Sequence, residues 1–278
     1  MINMSDNLNT SKVINFINQH YGLDIPKILK PLAKSDLEKF KKKYKITDWN
    51  IFFDEKKSAE KDKKISELLE IFLIDHTKFF RNRVQFETLK EKALPHLISA
   101  QSNIDQLDLR IWSAGCSSGE EVFSLMVVLF EYFGEKYFEI TCGVLATDVS
   151  KTALKKTELG VYRCSKVASD IRSRLESYVE FQNNETFRFH EPLRRELTIR
   201  EFNLNSKTYP FKQKFHIIFC RNVLLYFNKR NREITQKNLI ASLKDGGFIF
   251  LGDAESLDYR SLDLKKFGNG IYQKIAKF

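Results

Sequence analysis

Between residue 11 and about residue 95, apolar positions recur three and four apart, in SKVINFINQHYGL, DLEKFKKKYK and ISELLEIFLI, which predicts helices. Ser35 and Asp36 stand ahead of the second run as candidate caps. Past Pro95 the pattern changes. Short β-rich runs (LRIWSAG, FEITCGVLATD, ELTIREFNL, FHIIFC, GGFIFLGD) alternate with amphipathic helical stretches opening at Ser118, at Ser150 and near Lys229. Alternation of this kind predicts an α/β fold, a mostly parallel sheet covered by helices on both faces. Two departures stand out. Residues 161–196 hold extra short runs, SYVEFQ and TFRFHEP, that read as an antiparallel insertion. The chain also closes with a strand after a Gly-rich turn, FGNGIYQKIA, as an antiparallel edge would. The expected division is a helical region over 1–95 and an α/β domain over 96–278, with the insertion inside it.

Composition narrows the class. Hydrophobic residues make up 42% and aromatics 13% of the 278 residues, as in a folded chain. A core of that size needs no disulfide or metal to hold it, and no metal site is expected. No apolar run approaches the roughly 18 residues that span a bilayer. The start, MINMSDNLNT, lacks the basic-then-apolar pattern of a secretory signal. Cys116, Cys142, Cys164 and Cys220 form no C-x-x-C pair, so a reduced, cytoplasmic protein is expected. The net charge of +10 favours an anionic partner: nucleic acid, a membrane surface or an acidic protein. Much of it lies before residue 65, where a solvated helix face would account for it equally well.

The candidate chemistry begins at RIWSAGCSSGEEVFSLMVVL. A β-run ends at Ser113, Gly115 and Gly119 bracket a turn, and a helix follows. In an open parallel sheet the ligand sits beyond such a turn, and glycine lets the backbone approach it closely. Asp148 ends the next β-run, where an acid can accept hydrogen bonds from ribose hydroxyls. A dinucleotide would bring its pyrophosphate to the helix amino terminus. Here that end carries Glu120 and Glu121, which repel a diphosphate and suit a positively charged cofactor. The same two acids also complement the helix dipole. Together these features favour S-adenosylmethionine over a dinucleotide.

Four segments in this order resemble the CheR family of chemotaxis receptor glutamate methyltransferases: HTKFFRNRVQFETL, RIWSAGCSSGEEVFSL, ATDVSKTALKKTELGVY, and the long run from FHIIFCRNVLLYF to GDAESL. The T-x-F-F-R of the first and the I-F-C-R-N-V-x-x-Y-F of the last are the specific parts. The resemblance implies a Rossmann-like class I methyltransferase sheet, a small all-helical amino-terminal domain and an inserted antiparallel β-subdomain. It implies S-adenosylmethionine as methyl donor, S-adenosylhomocysteine as product, and glutamate side chains of chemoreceptor cytoplasmic domains as acceptors. Its cofactor contacts fall on Asp75, Thr77, Arg81, Glu121, Asp148, Asn203, Leu204, Arg221 and Asn222. Asp75 stands where the family pattern leads to Asn. Tyr226 and Phe227 are expected to pack against cofactor or core, and His76 to be incidental. Some members bind a receptor pentapeptide through a glycine-containing loop. The matching stretch here, SYVEFQNNETFRFHEP, has no glycine, so independence from that tether is expected. Its internal NNETF resembles such a tail but is read as lying within a strand.

A glutamate carboxylate has a reference pKa near 4.3 and arrives ionised, so transfer from a sulfonium needs no general base. None of the five His sits in an acid–base motif. Arg81 is the candidate catalytic residue, orienting either the acceptor carboxylate or the donor's own. Two other classes compete: a basic RNA methyltransferase and a non-catalytic S-adenosylmethionine sensor. Against nucleic acid, N-P-P-aromatic is absent and Cys220 has no neighbouring proline. Chemoreceptors are therefore the expected partner, with no nucleic acid, no membrane insertion and a monomeric state.

Overall fold

A computed structural model describes residues 4–24, 33–73, 77–99 and 108–276. The amino-terminal helices are α1 (Met4–Tyr21), α2 (Ala33–Lys43), α3 (Trp49–Asp54) and α4 (Ala59–Glu70). Asp48 and Ser58 cap α3 and α4 by accepting from the amides of Asn50 and Lys61. Ser35 and Asp36 do not cap α2. That helix begins at Ala33, so both lie inside its first turn, where Asp36 still meets the positive end of the helix dipole. Next, α5 (Arg83–Thr88) runs through a π turn (Leu89–Ala93) into α6 (Leu94–Ser99).

The α/β part opens with β1 (Asp108–Ala114), α7 (Glu120–Phe133), β2 (Thr141–Asp148) and α8 (Lys151–Leu159). Three short strands follow, β3 (Val161–Arg163), β4 (Val179–Phe181) and β5 (Thr186–Phe189), with α9 (Ser169–Leu175) between the first two. After α10 (Glu191–Arg195) come β6 (Leu197–Glu201), β7 (Phe215–Cys220), α11 (Lys229–Ser242), β8 (Leu243–Leu251), β9 (Leu264–Gly268) and β10 (Ile271–Lys274). The main sheet has the order β6-β2-β1-β7-β8-β10-β9, and the short strands form a separate antiparallel sheet, β3-β5-β4. Strands β6, β2, β1, β7 and β8 are parallel. This is the Rossmann-like class I methyltransferase arrangement.

Alternation along the strands splits the core in two. Ile111, Val144, Ile217 and Phe219 face a layer built from α5 to α7 and the small sheet. Trp112, Ile218, Cys220 and Ile249 face the amino-terminal helices and α11. Helix α7 is not amphipathic as expected. Every residue from Val122 to Leu129 is buried, because sheet, α5 and small sheet enclose it.

Two other expectations change. Strand β10 is antiparallel but lies inside the sheet, paired to β8 and β9, so β9 forms the edge. Its sequence, LKKFG, lacks apolar alternation, and exposed lysines are what an edge strand carries against unwanted pairing. The NNETF stretch is not all strand. Residues 182–185 form the exposed turn between β4 and β5, where Asn183 Oδ1 accepts from the Glu185 and Thr186 amides. No helix among the described residues is long and apolar enough to cross a membrane.

Candidate cofactor site

From β1 the chain moves outward to β2 and β6, then returns to lay β7 on the other side of β1. Such a reversal leaves a crevice beyond the carboxyl ends of the two strands. A cleft lies there, lined by Thr77, Arg81, Glu121, Asp148, Asn203, Leu204, Arg221 and Asn222 together. These are eight of the nine residues singled out in the sequence. The ninth, Asp75, lies outside the described residues, as does His76.

The turn after β1 forms one wall. Gly115 has a φ of +82°, and a Cβ there would stand 2.5 Å from Val223 Cγ2, so only glycine fits. Gly115 and Cys116 both donate to the Thr147 carbonyl, at 2.8 and 2.9 Å, tying the turn to the end of β2. Asp148 completes the tie: one oxygen accepts from the Ser117 amide at 2.8 Å and the other from the Ser150 amide at 2.9 Å. Of the two acids opening α7, only Glu121 lines the cleft; Glu120 accepts from the Ser118 hydroxyl at 2.7 Å. Glu121 accepts from the Ser113 hydroxyl at 2.8 Å and faces Arg221 Nη1 at 3.5 Å. Burial pushes its carboxyl pKa upward, with Arg221 and Ser113 pulling it back.

The turn after β7 forms the opposite wall. Arg221 is 7% exposed, stacks its guanidinium 5.4 Å from the Phe86 ring centre, and donates from Nη2 to the Arg81 carbonyl. Its buried Nε and Nη1 have no hydrogen-bond acceptor in the protein. Asn222 adopts a left-handed φ of +58°. Arg81 arrives on the T-x-F-F-R segment between two more left-handed residues, Phe80 at +50° and Asn82 at +58°. Backbone of that kind persists only where its surroundings hold it. Here the Ser124 hydroxyl accepts from the Phe80 amide at 2.9 Å, Asn82 donates to Asp253, and Arg174 lies 4.1 Å above the Phe80 ring. Arg174, from α9, also forks onto Glu131 of α7 at 2.8 Å, which links the small sheet's neighbourhood to the segment carrying Arg81.

Some of the site escaped the sequence. Tyr21 and Leu23, at the end of α1, line the cleft from the amino-terminal side. They are held by a Leu23–Phe227 bridge and by the Asp24 amide donating to the Tyr226 carbonyl at 2.7 Å. Asn203 is drawn into the same contact: its Nδ2 donates to the His20 carbonyl at 2.7 Å and its Oδ1 accepts from Asn205. Its side chain therefore ties this wall of the cleft to the end of α1. Nothing local in the sequence joins residue 21 to residue 203. Val149 and Phe202 also line the cleft and adjoin quoted motif residues, so adjacency was an available signal.

Residues 75–271 match the model of the family described as CheR methyltransferase, SAM binding domain. The chain belongs to the CheR methyltransferase family. It is similar to the chemotaxis protein methyltransferase of Listeria monocytogenes, 30% identical over 258 residues, which cover 90% of this chain and 92% of that protein. The Borreliella burgdorferi chemotaxis protein methyltransferase is 28% identical over 89% of this chain and 87% of its own length. Chemotaxis protein methyltransferase Cher2 of Pseudomonas putida is 32% identical over 69% and 70%. As a CheR protein this chain is an S-adenosylmethionine-dependent methyltransferase, and the cleft fits that donor. Arg81 and Arg221 bring positive charge to the same cleft, which suits its carboxylate. Glu121 and Asp148 supply counter-charge for its cationic groups and acceptors for its hydroxyls, with Val149, Phe202, Leu204 and Phe227 as apolar wall. Cys116 is no rival nucleophile in this CheR site, because burial and the acids Asp148 and Glu121 push its thiol pKa far up.

Proposed function

We propose that this protein methylates glutamate carboxylates on the cytoplasmic domains of chemoreceptors, giving methyl esters, and that it does so in the cytoplasm as a monomer. The observation that carries the reading is the charge pairing in one cleft: Glu121 and Asp148 beside Arg81 and Arg221. Both a cationic donor and an anionic acceptor find partners there. The names of the chemotaxis relatives point to the same acceptor. In this reading residues 96–278 are the catalytic domain with its β-subdomain insertion over about 161–196, Thr77 and Arg81 of the preceding linker complete its cleft, and the helices α1 to α4 face the receptor.

When bound, S-adenosylmethionine supplies a methyl group on a sulfonium. Thr77, Asp148, Asn203, Leu204 and Asn222 would hold the donor, with Glu121 supplying counter-charge for its positive groups and Arg221 for its carboxylate. Arg81 orients the incoming glutamate, whose carboxylate is already ionised at neutral pH, so no side chain has to accept a proton. A cleft shielded from water strengthens the attraction between the two charges that the transfer cancels. Orientation of this kind contributes on the order of 7–11 kcal/mol in well-positioned reactions. The basic end of α2 adds docking charge for an acidic helical bundle. Lys41 and Lys42 carry it, whereas Lys43 is paired to Glu67 at 2.5 Å.

One assay tests the whole proposal: labelled methyl donor with receptor-rich membranes, with RNA as the control substrate, at low and raised salt. Base-labile label on receptor that falls with salt, and falls strongly in Arg81→Ala, is expected. Stable label on RNA, or no label on anything, would sink it.

A further inference from the structure

After β8 the chain turns at Gly252 and comes back on itself, the Glu255 amide donating to the Gly252 carbonyl at 2.9 Å. Glu255 is only 8% exposed. Its carboxylate accepts four backbone amides, two on each oxygen. Oε2 takes Gly252 at 2.8 Å and Asn222 at 2.7 Å; Oε1 takes Val223 at 2.9 Å and Leu225 at 3.2 Å. Three of the four belong to the turn after β7, which is a cofactor wall. A buried carboxylate is costly unless hydrogen bonds to its charged form offset the loss of water. Here the donors are amides that strand β7 can no longer pair and that the short 3₁₀ turn Leu224–Tyr226 has not yet paired. Each side satisfies the other.

Glu255 itself does not line the cleft, while Arg221, Asn222, Val223 and Tyr226 all do. The fit around it is close. A Cβ on Gly252 would stand 2.8 Å from both Asn222 Nδ2 and Glu255 Oε2, so Gly252, Asn222 and Glu255 interlock. The Glu255 charge also reaches the cleft, opposing ionisation of Glu121 and favouring that of Arg221.

We propose that Glu255 is a positioning residue for the methyl donor: by gathering the amides of residues 222, 223 and 225 it sets the left-handed Asn222 and presents the Arg221–Tyr226 turn to the cofactor. It touches no reacting atom and acts through that turn, its charge adding to the field at Glu121 and Arg221. The inference depends on donor use and not on the identity of the acceptor.

Glu255→Gln keeps the shape and replaces one accepting oxygen with a donor that faces amides. Titration calorimetry with S-adenosylhomocysteine is expected to show affinity weakened about tenfold or more. In the ligand-free variant, amide hydrogen exchange at 222, 223 and 225 is expected to quicken while the interiors of β7 and β8 keep their protection. Glu255→Asp, which restores the charge on a shorter arm, recovers part of both, and carries the same test should Glu255→Gln not fold. A folded variant that binds S-adenosylhomocysteine within about twofold of wild type overturns the proposal. So does exchange that rises equally throughout β7 and β8, since Glu255 would then be a general support of the sheet.

Discussion

Two turns leave neighbouring parallel strands, β1 and β7, and face each other across one cleft, and each is held by a carboxylate from the strand next outward. On the β1 side Asp148, ending β2, takes one amide on each oxygen. On the β7 side Glu255, just past β8, takes two on each. The difference lies in where the acids stand. Asp148 is part of the cleft surface, so it holds a turn and meets the ligand with the same group. Glu255 is withdrawn behind its turn and holds it without lining the cleft. A residue of the first kind sits where motifs are expected; a residue of the second kind is visible only once the strands are side by side.

The largest effect should come from the point where the two turns touch. Gly115→Ala forces a side chain into a φ of +82° and drives its Cβ against Val223. The backbone term alone costs about 1–2 kcal/mol, and the clash displaces the opposite wall as well. Binding of S-adenosylhomocysteine is expected to weaken about a hundredfold, with exchange quickened in both turns. Quickening in only one of them would mean that the walls are independent. Asp148→Asn should do less and do it locally. The amide oxygen still accepts one hydrogen bond, but the charge and the second acceptor are lost, so affinity falls about tenfold. Exchange at Ser117 or Ser150 should rise, with residues 222–225 unchanged. If the β7 turn loosens too, the pairing of one acid with one turn is wrong.

The same contrast explains what could be read in the sequence. Strand ends announce themselves, because an apolar run stops and a Gly or Asp follows; Gly115 and Asp148 were legible for that reason, whereas Arg221 and Asn222 came from the family resemblance. Helix α1 reaching the cleft at Tyr21 was not, since its partners Asn203 and Tyr226 lie about 200 residues away and share no periodicity with it. Glu255 stood in plain view within GDAESL, yet a lone acid after a strand carries no sign of which amides it will accept. Strand β9 was missed for the opposite reason: at an edge, the lysines that block aggregation also erase the alternation that marks a strand. Helix α7 was legible as a helix but not in its burial: Val122–Leu129 are enclosed, and its charged residues stand only towards the ends.

The smallest effect on the cleft should come from the far end of the same strands. His216, near the start of β7, is 3% exposed; its Nδ1 accepts from the Arg110 amide at 3.1 Å and its Nε2 faces Lys244 Nζ at 3.1 Å. Burial, reinforced by the positive charges of Lys244 and Arg110, lowers its pKa from 6.5 to about 4. The unfolded chain therefore binds this proton at a higher pH than the folded one does. The neutral imidazole's contribution is complete above about pH 6.5 and drains away as pH falls toward 4. Urea unfolding across that window should show about 2 kcal/mol of lost stability traceable to His216, and the loss should shrink in His216→Gln. Donor affinity of the folded protein should not follow it, because nothing at this end supports either turn. An affinity that tracked the His216 titration would show the two ends of the sheet to be coupled, and the cleft would then owe its shape to more than the two acids behind its walls.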